Sequence, residues 1–188
     1  MTTNNAVNTS LSSQTGTGSF VGSTSPTLVT PVLGAANATS INFGGSTLST
    51  YTAETSWTPV FTFATPGNIS NAYTIQVGFY TRIGNIVMAS FSLSFTPTFS
   101  TSSGNAAVSG LPFSSNSATN SNSIGSVLPS FSTAWPTSTT SAVLFLPPNS
   151  SAINLYGIAS ALNGGFFTTA NFTSGQSTII HGSIVYSV

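Results

Sequence analysis

The stretch "GFYTRIGNIVMASFSLSF", residues 78–95, decides the predicted fold. Over residues 85–95 one alternating set of side chains is apolar and the other, Met88, Ser90, Ser92 and Ser94, is mostly polar. A period of two over this length is typical of a half-buried β-strand. The preceding Gly84-Asn85 is a strong turn signal, and residues 72–83 are rich in aromatic and β-branched side chains. We therefore predict a hairpin with strands over 72–83 and 86–95. One face of the second strand is apolar and consists of Val87, Ala89, Phe91, Leu93 and Phe95.

The rest of the chain from Trp57 onward also consists of short runs of apolar and β-branched residues. Clusters of Ser, Thr, Asn and Pro separate these runs, as is typical of turns and loops. No segment shows a helical pattern. The further predicted strands span residues 57–63, 105–111, 123–128, 141–147, 152–160 and 177–188. These features predict an all-β fold, an antiparallel β-sandwich or jelly-roll-like domain, over residues 57–188.

Residues 1–56 differ in composition, with small residues, Gly and Pro throughout and few apolar side chains. Pro26 and Pro31 disfavour both a helix and a central strand. Such a segment cannot bury a core by itself, so we expect other chains to order it. The sequence therefore predicts an extended N-terminal arm or stalk over residues 1–56.

Charged side chains are nearly absent from this protein. Its 188 residues include one Lys or Arg (Arg82), one Asp or Glu (Glu54), one His (His181) and no Cys. Nucleic acids and anionic membrane surfaces are bound through many Lys and Arg side chains, so neither is an expected partner. Disulfides are excluded, no apolar run has the length of a membrane-spanning helix, and the first ten residues lack the features of a secretory signal.

A net charge near zero usually promotes association between protein molecules. We therefore expect this chain to bury much of its surface in a permanent assembly. Because there is little ionic attraction to screen, we also expect its stability and binding to depend little on salt.

Four segments resemble the C-terminal domains and flanking segments of tailed-bacteriophage fibre and receptor-binding proteins. Residues 78–95 carry a "G-x-Y-T-[KR]-I-G-N-x-V" hairpin, and "GNAAVSGLPFSS", residues 104–115, contains a "G-LPF" strand end. "TTANFTSGQSTIIHGSIVYSV", residues 168–188, is similar to the closing strand of those domains, and residues 11–45 are similar to segments of phage virion proteins. The resemblance implies a homotrimeric β-structured appendage on the virion surface. Its usual target is a host-surface glycan or protein.

The resemblance also implies roles for individual residues. Residues Tyr80, Arg82, Gly84 and Asn85 would form the structural hairpin of the domain. The arm would attach to a tail adaptor or to the capsid, and its candidate attachment residues are Phe20, Pro26, Leu28 and Pro31. The protein would be made in the host cytoplasm, without a signal peptide, and no cofactor or metal is implied.

The three titratable residues each allow more than one interpretation. For Arg82 we favour a structural role, with its stem on an aromatic ring and its guanidinium on loop carbonyls or a neighbouring chain, over a ligand contact. Glu54 could pair with Arg82 or remain solvated. For His181 we favour a hydrogen-bonded side chain on a semi-polar strand face over a three-His metal site on a trimer axis, which would suit Zn²⁺.

The aromatic residues supply the candidate contacts with a receptor or partner. Trp57 is expected in the core. Trp135 lies in a loop context, where it could stack on sugars, anchor a partner or equally cap the sandwich, and Tyr156 is a second candidate. The Gly-rich "GTGSFVG", residues 16–22, lacks the Lys and the strand–helix context of a nucleotide site.

The favoured function is that of a phage fibre or spike protein, attached by its arm and displaying its β-domain for host binding. A capsid-attached head fibre or decoration protein is the first alternative, and the shortness of the arm suits it. A glycan-cleaving tailspike is the second, although glycoside hydrolysis normally needs two carboxylates and the chain has one, Glu54. We therefore expect no enzyme activity. An ice-binding protein would need a regular array of Thr, and no fixed period is present.

Overall fold

The computed structural model describes residues 40–131, 136, 139–159 and 164–188. Within these ranges the protein forms twelve β-strands and one short 3-10 helix, Thr169–Asn171, and it has no helix long and apolar enough to cross a membrane. The strands are β1 (Ile41–Phe43), β2 (Ser46–Leu48), β3 (Tyr51–Trp57), β4 (Val60–Thr65), β5 (Ser70–Ile83), β6 (Ile86–Thr98), β7 (Ser103–Ser109), β8 (Ser123–Phe131), β9 (Thr139–Leu146), β10 (Ala152–Ala159), β11 (Gly165–Phe166) and β12 (Thr178–Ser187).

The predicted central hairpin is confirmed as β5 and β6. These antiparallel strands pair from Ser70↔Thr98 to Ile83↔Ile86, around the two-residue turn at Gly84-Asn85. Gly84 has φ +58°, in the left-handed region that glycine adopts without a Cβ clash. The alternation on β6 is also confirmed, because its odd-numbered side chains are buried and its even-numbered side chains are exposed or half-buried.

The prediction of one strand over residues 57–63 is wrong. Strand β3 ends at Trp57, which pairs with Gly78 of β5, and β4 begins at Val60, which pairs with Ser109 of β7. Pro59 lies between them and has no N–H to donate to a ladder. The chain therefore changes partner at this point and passes from one end of the sheet to the other.

The β structure starts before Trp57, within the range assigned to the arm. Strand β3 pairs with β5 from Tyr51 onward, and β1 and β2 form a separate two-stranded sheet closed by Gly44-Gly45. The arm prediction for residues 1–39 lies outside the described residues.

The predicted all-β, sandwich-like antiparallel domain is confirmed, and its two layers belong to one curled sheet. The strand order is β3-β5-β6-β12-β8-β9-β10-β7-β4, with β11 added beside β10. Strand β8 turns the corner between the layers, because residues 123–126 pair with β9 and residues 126–131 pair with β12. The layer β5–β6–β12–β8 therefore packs against the layer β9–β10–β7–β4.

Aromatic rings join the two layers in the core. Phe61 of β4 and Phe95 of β6 are far apart in strand order, yet their ring centroids lie 4.7 Å apart. Phe172, just after the 3-10 helix, contacts both Phe61 and Phe63. Among the described residues, twenty buried hydrophobic side chains form one cluster, and Trp57, with 8% of its surface exposed, is among them as predicted.

Side chains of β5 bind the backbone of β4 where the two ends of the sheet approach. The Asn71 Nδ2 donates to the Phe61 carbonyl at 2.8 Å, and the Phe61 N–H donates to the Tyr73 hydroxyl at 2.8 Å. The Gln76 Nε2 donates to the Pro59 carbonyl at 2.9 Å. These bonds occupy backbone groups of an edge strand that would otherwise be open to pairing with another chain.

Candidate functional site

The outward side of the layer β5–β6–β12–β8 is rich in exposed hydrophobic side chains. We call this surface the apolar outer face. Among the described residues it carries ten large hydrophobic side chains, each with 36–67% of its surface exposed in the single chain. They are Ile75, Val77, Phe79, Ile83, Ile86, Met88, Ile124, Leu128, Ile179 and Val185.

The register of the four strands makes this face continuous. One row across the sheet runs from Val77 through Ser92 and His181 to Leu128. The adjacent row runs through Phe79, Ser90, Ser183 and Ser126. The first row is apolar at both ends and the second at its Phe79 end, and the residues between are small or polar. Side chains opposite one another on neighbouring strands are in contact distance. The face is therefore one surface rather than a set of isolated side chains.

Two shallow grooves follow the small residues in the middle of the apolar outer face. The larger has a volume of about 420 Å³ and lies between Phe79 and Met88 on one side and Ile124 on the other, with Ser90 and Ser183 between them. The smaller, of about 370 Å³, is lined by Leu128, Val127 and His181. Short serine side chains leave the space that larger residues would fill.

His181 lies on this face, as the predicted alternation of β12 requires. Its side chain is exposed, and its Nδ1 is 2.9 Å from the Ser92 hydroxyl oxygen, so the two groups share a hydrogen bond whose donor depends on the imidazole tautomer. Within the described part of the chain, no three His, Asp or Glu side chains are grouped to hold a metal ion. A three-His site formed by three copies stays the untested alternative to the favoured hydrogen-bonded His181.

Arg82 lies at the margin of the domain, beside the β5–β6 turn. Its Nε donates to the Gly84 carbonyl at 2.8 Å, and its guanidinium carbon is 4.7 Å from the centre of the Phe113 ring. Tyr80 packs edge-on against the same ring, with centroids 5.6 Å apart. A guanidinium on an aromatic face and a turn carbonyl is the kind of contact that the structural interpretation of Arg82 predicts.

Glu54 is exposed on β3 and lines the larger groove of the apolar outer face. It lies at an irregularity of the β3–β5 ladder, between Thr52, which pairs with Arg82, and Thr55, which pairs with Tyr80. The groove therefore contains the chain's one carboxylate side chain.

The buried Tyr186 and the half-buried Tyr73 have pKa values shifted by their surroundings. Burial raises the pKa of Tyr186 to about 12, although its hydrogen bond to Phe113 opposes this effect. The Tyr186 hydroxyl donates to the Phe113 carbonyl at 3.1 Å. Burial also raises the pKa of Tyr73. Because burial disfavours the charged form of a phenol, both groups stay neutral to higher pH than an exposed tyrosine.

A second surface feature lies on the other layer. Phe145 of β9, Tyr156 of β10 and Phe166 of β11 form a half-buried aromatic cluster, with centroid separations of 5.1–6.4 Å. Tyr156 covers the backbone of Gly164, where a Cβ atom would lie 2.6 Å from the ring. We call this group the aromatic cluster. It presents ring edges and faces that could stack on a sugar ring or on an apolar side chain.

The other candidate contact residues cannot be placed. Trp135 and the attachment residues Phe20, Pro26, Leu28 and Pro31 lie outside the described residues. The sequence reasoning missed the apolar outer face itself. A signal for it was present, because "IVMA", residues 86–89, has apolar side chains at both alternating positions. Such a strand is typical of a sheet covered on both sides.

No protein-family model and no curated protein matches this chain. Among solved structures, the chain is similar to the crystal structure of the Dettilon tailspike protein, with 18% sequence identity and a TM-score of 0.41. The similarity covers 70% of this chain and 23% of that chain, so this chain spans a minor part of that protein's length. A match at this level assigns neither a family nor an activity to the chain.

Proposed function

We propose that this protein is a phage virion fibre or spike protein. It assembles as a homotrimer, attaches to the particle through its N-terminal residues and displays its β-domain for binding to the host surface. The observation that carries the proposal is the combination of the quoted hairpin, residues 78–95, with a surface that is almost free of charge. A display domain of this kind binds through neutral hydrogen bonds, apolar burial and aromatic stacking.

The attachment segment is residues 11–45, whose resemblance to virion proteins supports this role. Its candidate contact residues are Phe20, Pro26, Leu28 and Pro31. The tail is the favoured attachment point, with the capsid as the alternative. Gold-labelled antibody against this protein should mark the tail of intact particles. Label distributed over the capsid would support the head-fibre alternative, and particles without any label would contradict the proposal.

The host-contact surface that we favour is the aromatic cluster, with Trp135 as a further candidate. Phe145, Tyr156 and Phe166 present aromatic surface at the outside of the domain, and the apolar faces of sugar rings stack on such groups. We therefore propose a host-surface glycan as the ligand and Tyr156 as its principal contact.

Binding of fluorescent full-length protein to host cells tests this assignment. Tyr156→Ala should weaken binding at least about tenfold, because a stacking platform is lost. Ser141→Ala, an exposed position on the neighbouring strand β9, is the matched control and should bind like the wild type. Equal binding of the wild type and of Tyr156→Ala would remove Tyr156 from the contact.

We propose that the protein binds its glycan without cleaving it. Glu54 is the chain's one acidic side chain and lies at the rim of a groove, whereas glycoside hydrolysis normally uses two carboxylates. No release of reducing ends is expected when the protein is incubated with host-surface polysaccharide. Release that disappears in Glu54→Gln would instead establish the tailspike alternative, with the second carboxylate supplied by another copy.

A further inference from the structure

We propose that the apolar outer face is the surface through which copies of this chain contact one another. This inference rests on the homotrimer of the proposed function and assigns its interface. It starts from the ten exposed hydrophobic side chains of strands β5, β6, β8 and β12.

The amount of apolar surface is what a stable interface needs. If each of the ten side chains contributes about 80 Å², the face presents on the order of 800 Å² of apolar surface. The largest exposed apolar patch of a typical monomer is about 300–600 Å², and a specific interface buries about 800 Å² on each partner. The face is therefore larger than a monomer usually leaves in water, and its apolar area alone matches what one partner buries in a specific interface. In a trimer this area is divided between the two neighbouring copies.

The charge of the face favours another copy of the same chain as the occupant. Its titratable side chains are His181 in the middle and Glu54 at the rim. Arg82, the chain's one other charged side chain, is engaged with Gly84 and Phe113. A nucleic acid or an anionic membrane would find no basic patch here. Two copies of a chain with zero net charge do not repel each other, so their apolar surfaces can meet without an electrostatic cost.

The side chains of the apolar outer face also favour a protein over a glycan as its binding partner. Of its ten large side chains, nine are aliphatic and one, Phe79, is aromatic. Aliphatic side chains pack against other side chains but offer few stacking platforms for sugar rings. The aromatic cluster on the other layer has the opposite composition. The two surfaces are therefore assigned to different partners.

The shape of the face suggests how the copies fit together. Ile124 and Leu128 on β8, with 59% and 67% of their surfaces exposed, form a ridge beside the larger groove, which Ser90 and Ser183 line. In our proposal the β8 ridge of one copy packs into the groove of the next. This is a contact between different parts of two identical surfaces, and such contacts close into rings when the rotation permits.

The test is the mass of the full-length protein in solution, measured by light scattering with size-exclusion chromatography at about 10 μM, where specific interfaces of this size are stable. The wild type should have three times the mass of one 19.1 kDa chain. Leu128→Glu places a charge on the ridge and should weaken association at least about 100-fold, which gives monomers. Ile158→Glu is the matched control, because Ile158 is 43% exposed on β10 in the other layer, and it should remain trimeric.

Folding of each variant is checked by circular dichroism and thermal unfolding. If Leu128→Glu does not fold, Val185→Glu, at a position 55% exposed on β12, decides the question in its place. A trimeric wild type whose face variants also stay trimeric would overturn the assignment of this face. A monomeric wild type would overturn the inference as a whole, whereas the placement on the particle is decided separately by the antibody label.

Discussion

The two layers of this domain share one core but differ on their outward sides. Strands β5, β6, β8 and β12 carry ten of the large exposed hydrophobic side chains. On strands β4, β7, β9 and β10, the described residues include two such side chains, Val60 and Ile158. Inward-facing residues are mostly apolar in both layers because both cover the same core. The outward residues are free of that requirement, so their difference reflects what each layer contacts outside the chain.

An antiparallel sheet with one side in water normally alternates apolar and polar residues, as β6 does over Ala89–Phe95. Strand β5 departs from this pattern. Its outward positions carry Ile75, Val77 and Phe79, while its inward positions include Gly78. Trp57 takes the inward space, because a Cβ at Gly78 would lie 2.5 Å from the Trp57 Nε1. The apolar side chains of Ile75, Val77 and Phe79 lie on the outside, where another copy can cover them.

The largest expected effect is on the free energy of unfolding, and it differs between substitutions on the inner and outer sides of β6. Phe95→Ala should lower the free energy of unfolding by about 3–5 kcal/mol, because Phe95 is 1% exposed and contacts Phe61 and Tyr73. Ser90→Ala, at an outward position of the same strand, should change it by less than about 0.5 kcal/mol. Denaturant unfolding at several protein concentrations measures both values. Similar losses for the two variants would mean that the inner and outer sides are wrongly assigned.

The next effect is a loss of stability at high pH, which arises from the buried Tyr186 on the inner side of the sheet. The pKa of Tyr186 is raised to about 12, whereas an exposed tyrosine has a pKa of about 10. Below pH 10 the side chain is neutral in both folded and unfolded states. Between about pH 10 and pH 12 the unfolded chain releases the proton and the folded chain retains it, so stability should fall by about 2–3 kcal/mol.

Few other groups obscure this measurement, because the chain has no Lys or Cys. Tyr73, whose pKa burial also raises, should add to the loss in the same direction. Tyr186→Phe should reduce the fall in stability with pH, at a cost of about 1 kcal/mol for the lost hydrogen bond to Phe113. A wild type and variant with the same dependence above pH 10 would show that Tyr186 is not the responsible group.

A smaller effect is expected at the chain's single cation. Arg82→Ala removes the contact with the Phe113 ring and the hydrogen bond to Gly84, and should cost about 1–2 kcal/mol of unfolding free energy. Arg82→Lys keeps the charge but loses the planar donor group, so it should retain part of that stability. If Arg82 instead served ligand binding, both variants would unfold like the wild type and fail to bind host cells.

The smallest expected effect is that of salt. With one Arg and one Glu in the chain, neither self-association nor host binding has a long-range field to screen. Both affinities should change less than about twofold between 0.1 M and 1 M NaCl, across which the Debye length falls from about 10 Å to about 3 Å. A steep loss of cell binding with added salt, while the mass stays constant, would point to recognition through clustered charges such as the three Arg82 side chains.

The sequence predicted the parts of the fold that local chemistry decides. Gly84-Asn85 and the alternation after it specified the β5–β6 hairpin, because a tight turn and a period of two leave one register. The break at Pro59 was missed, since the apolar run from Trp57 to Phe63 looks like one strand until its partners are known. The β1–β2 hairpin was missed as well, although Gly44-Gly45 is a two-residue turn signal of the same kind.

The candidate site could be predicted only in part. His181 was correctly placed on the less buried side of its strand, because periodicity separates the two sides. Periodicity cannot decide which neighbours a strand has, so it could not bring Val77, Ser92 and Leu128 into one row with His181. The β5–β6 hairpin places Val77 opposite Ser92. Joining these two residues to His181 and Leu128 depends on the pairing of β12 with β6 and β8, strands that are distant in the chain, and the fold as a whole decides that pairing.

The central claim, that one outward side is covered by other copies and the other is open, can be tested most directly by thiol labelling. The chain has no Cys, so one introduced thiol reports on one position. Ser183→Cys lies in the middle of the apolar outer face and Ser141→Cys on the outward side of β9, and both serines are exposed in the single chain. In the native protein a maleimide should modify Ser183→Cys at least about tenfold more slowly than Ser141→Cys, because the reaction requires access to the thiol. Adding Leu128→Glu should make the two rates similar. Equally fast labelling of both positions in the native protein would contradict the account.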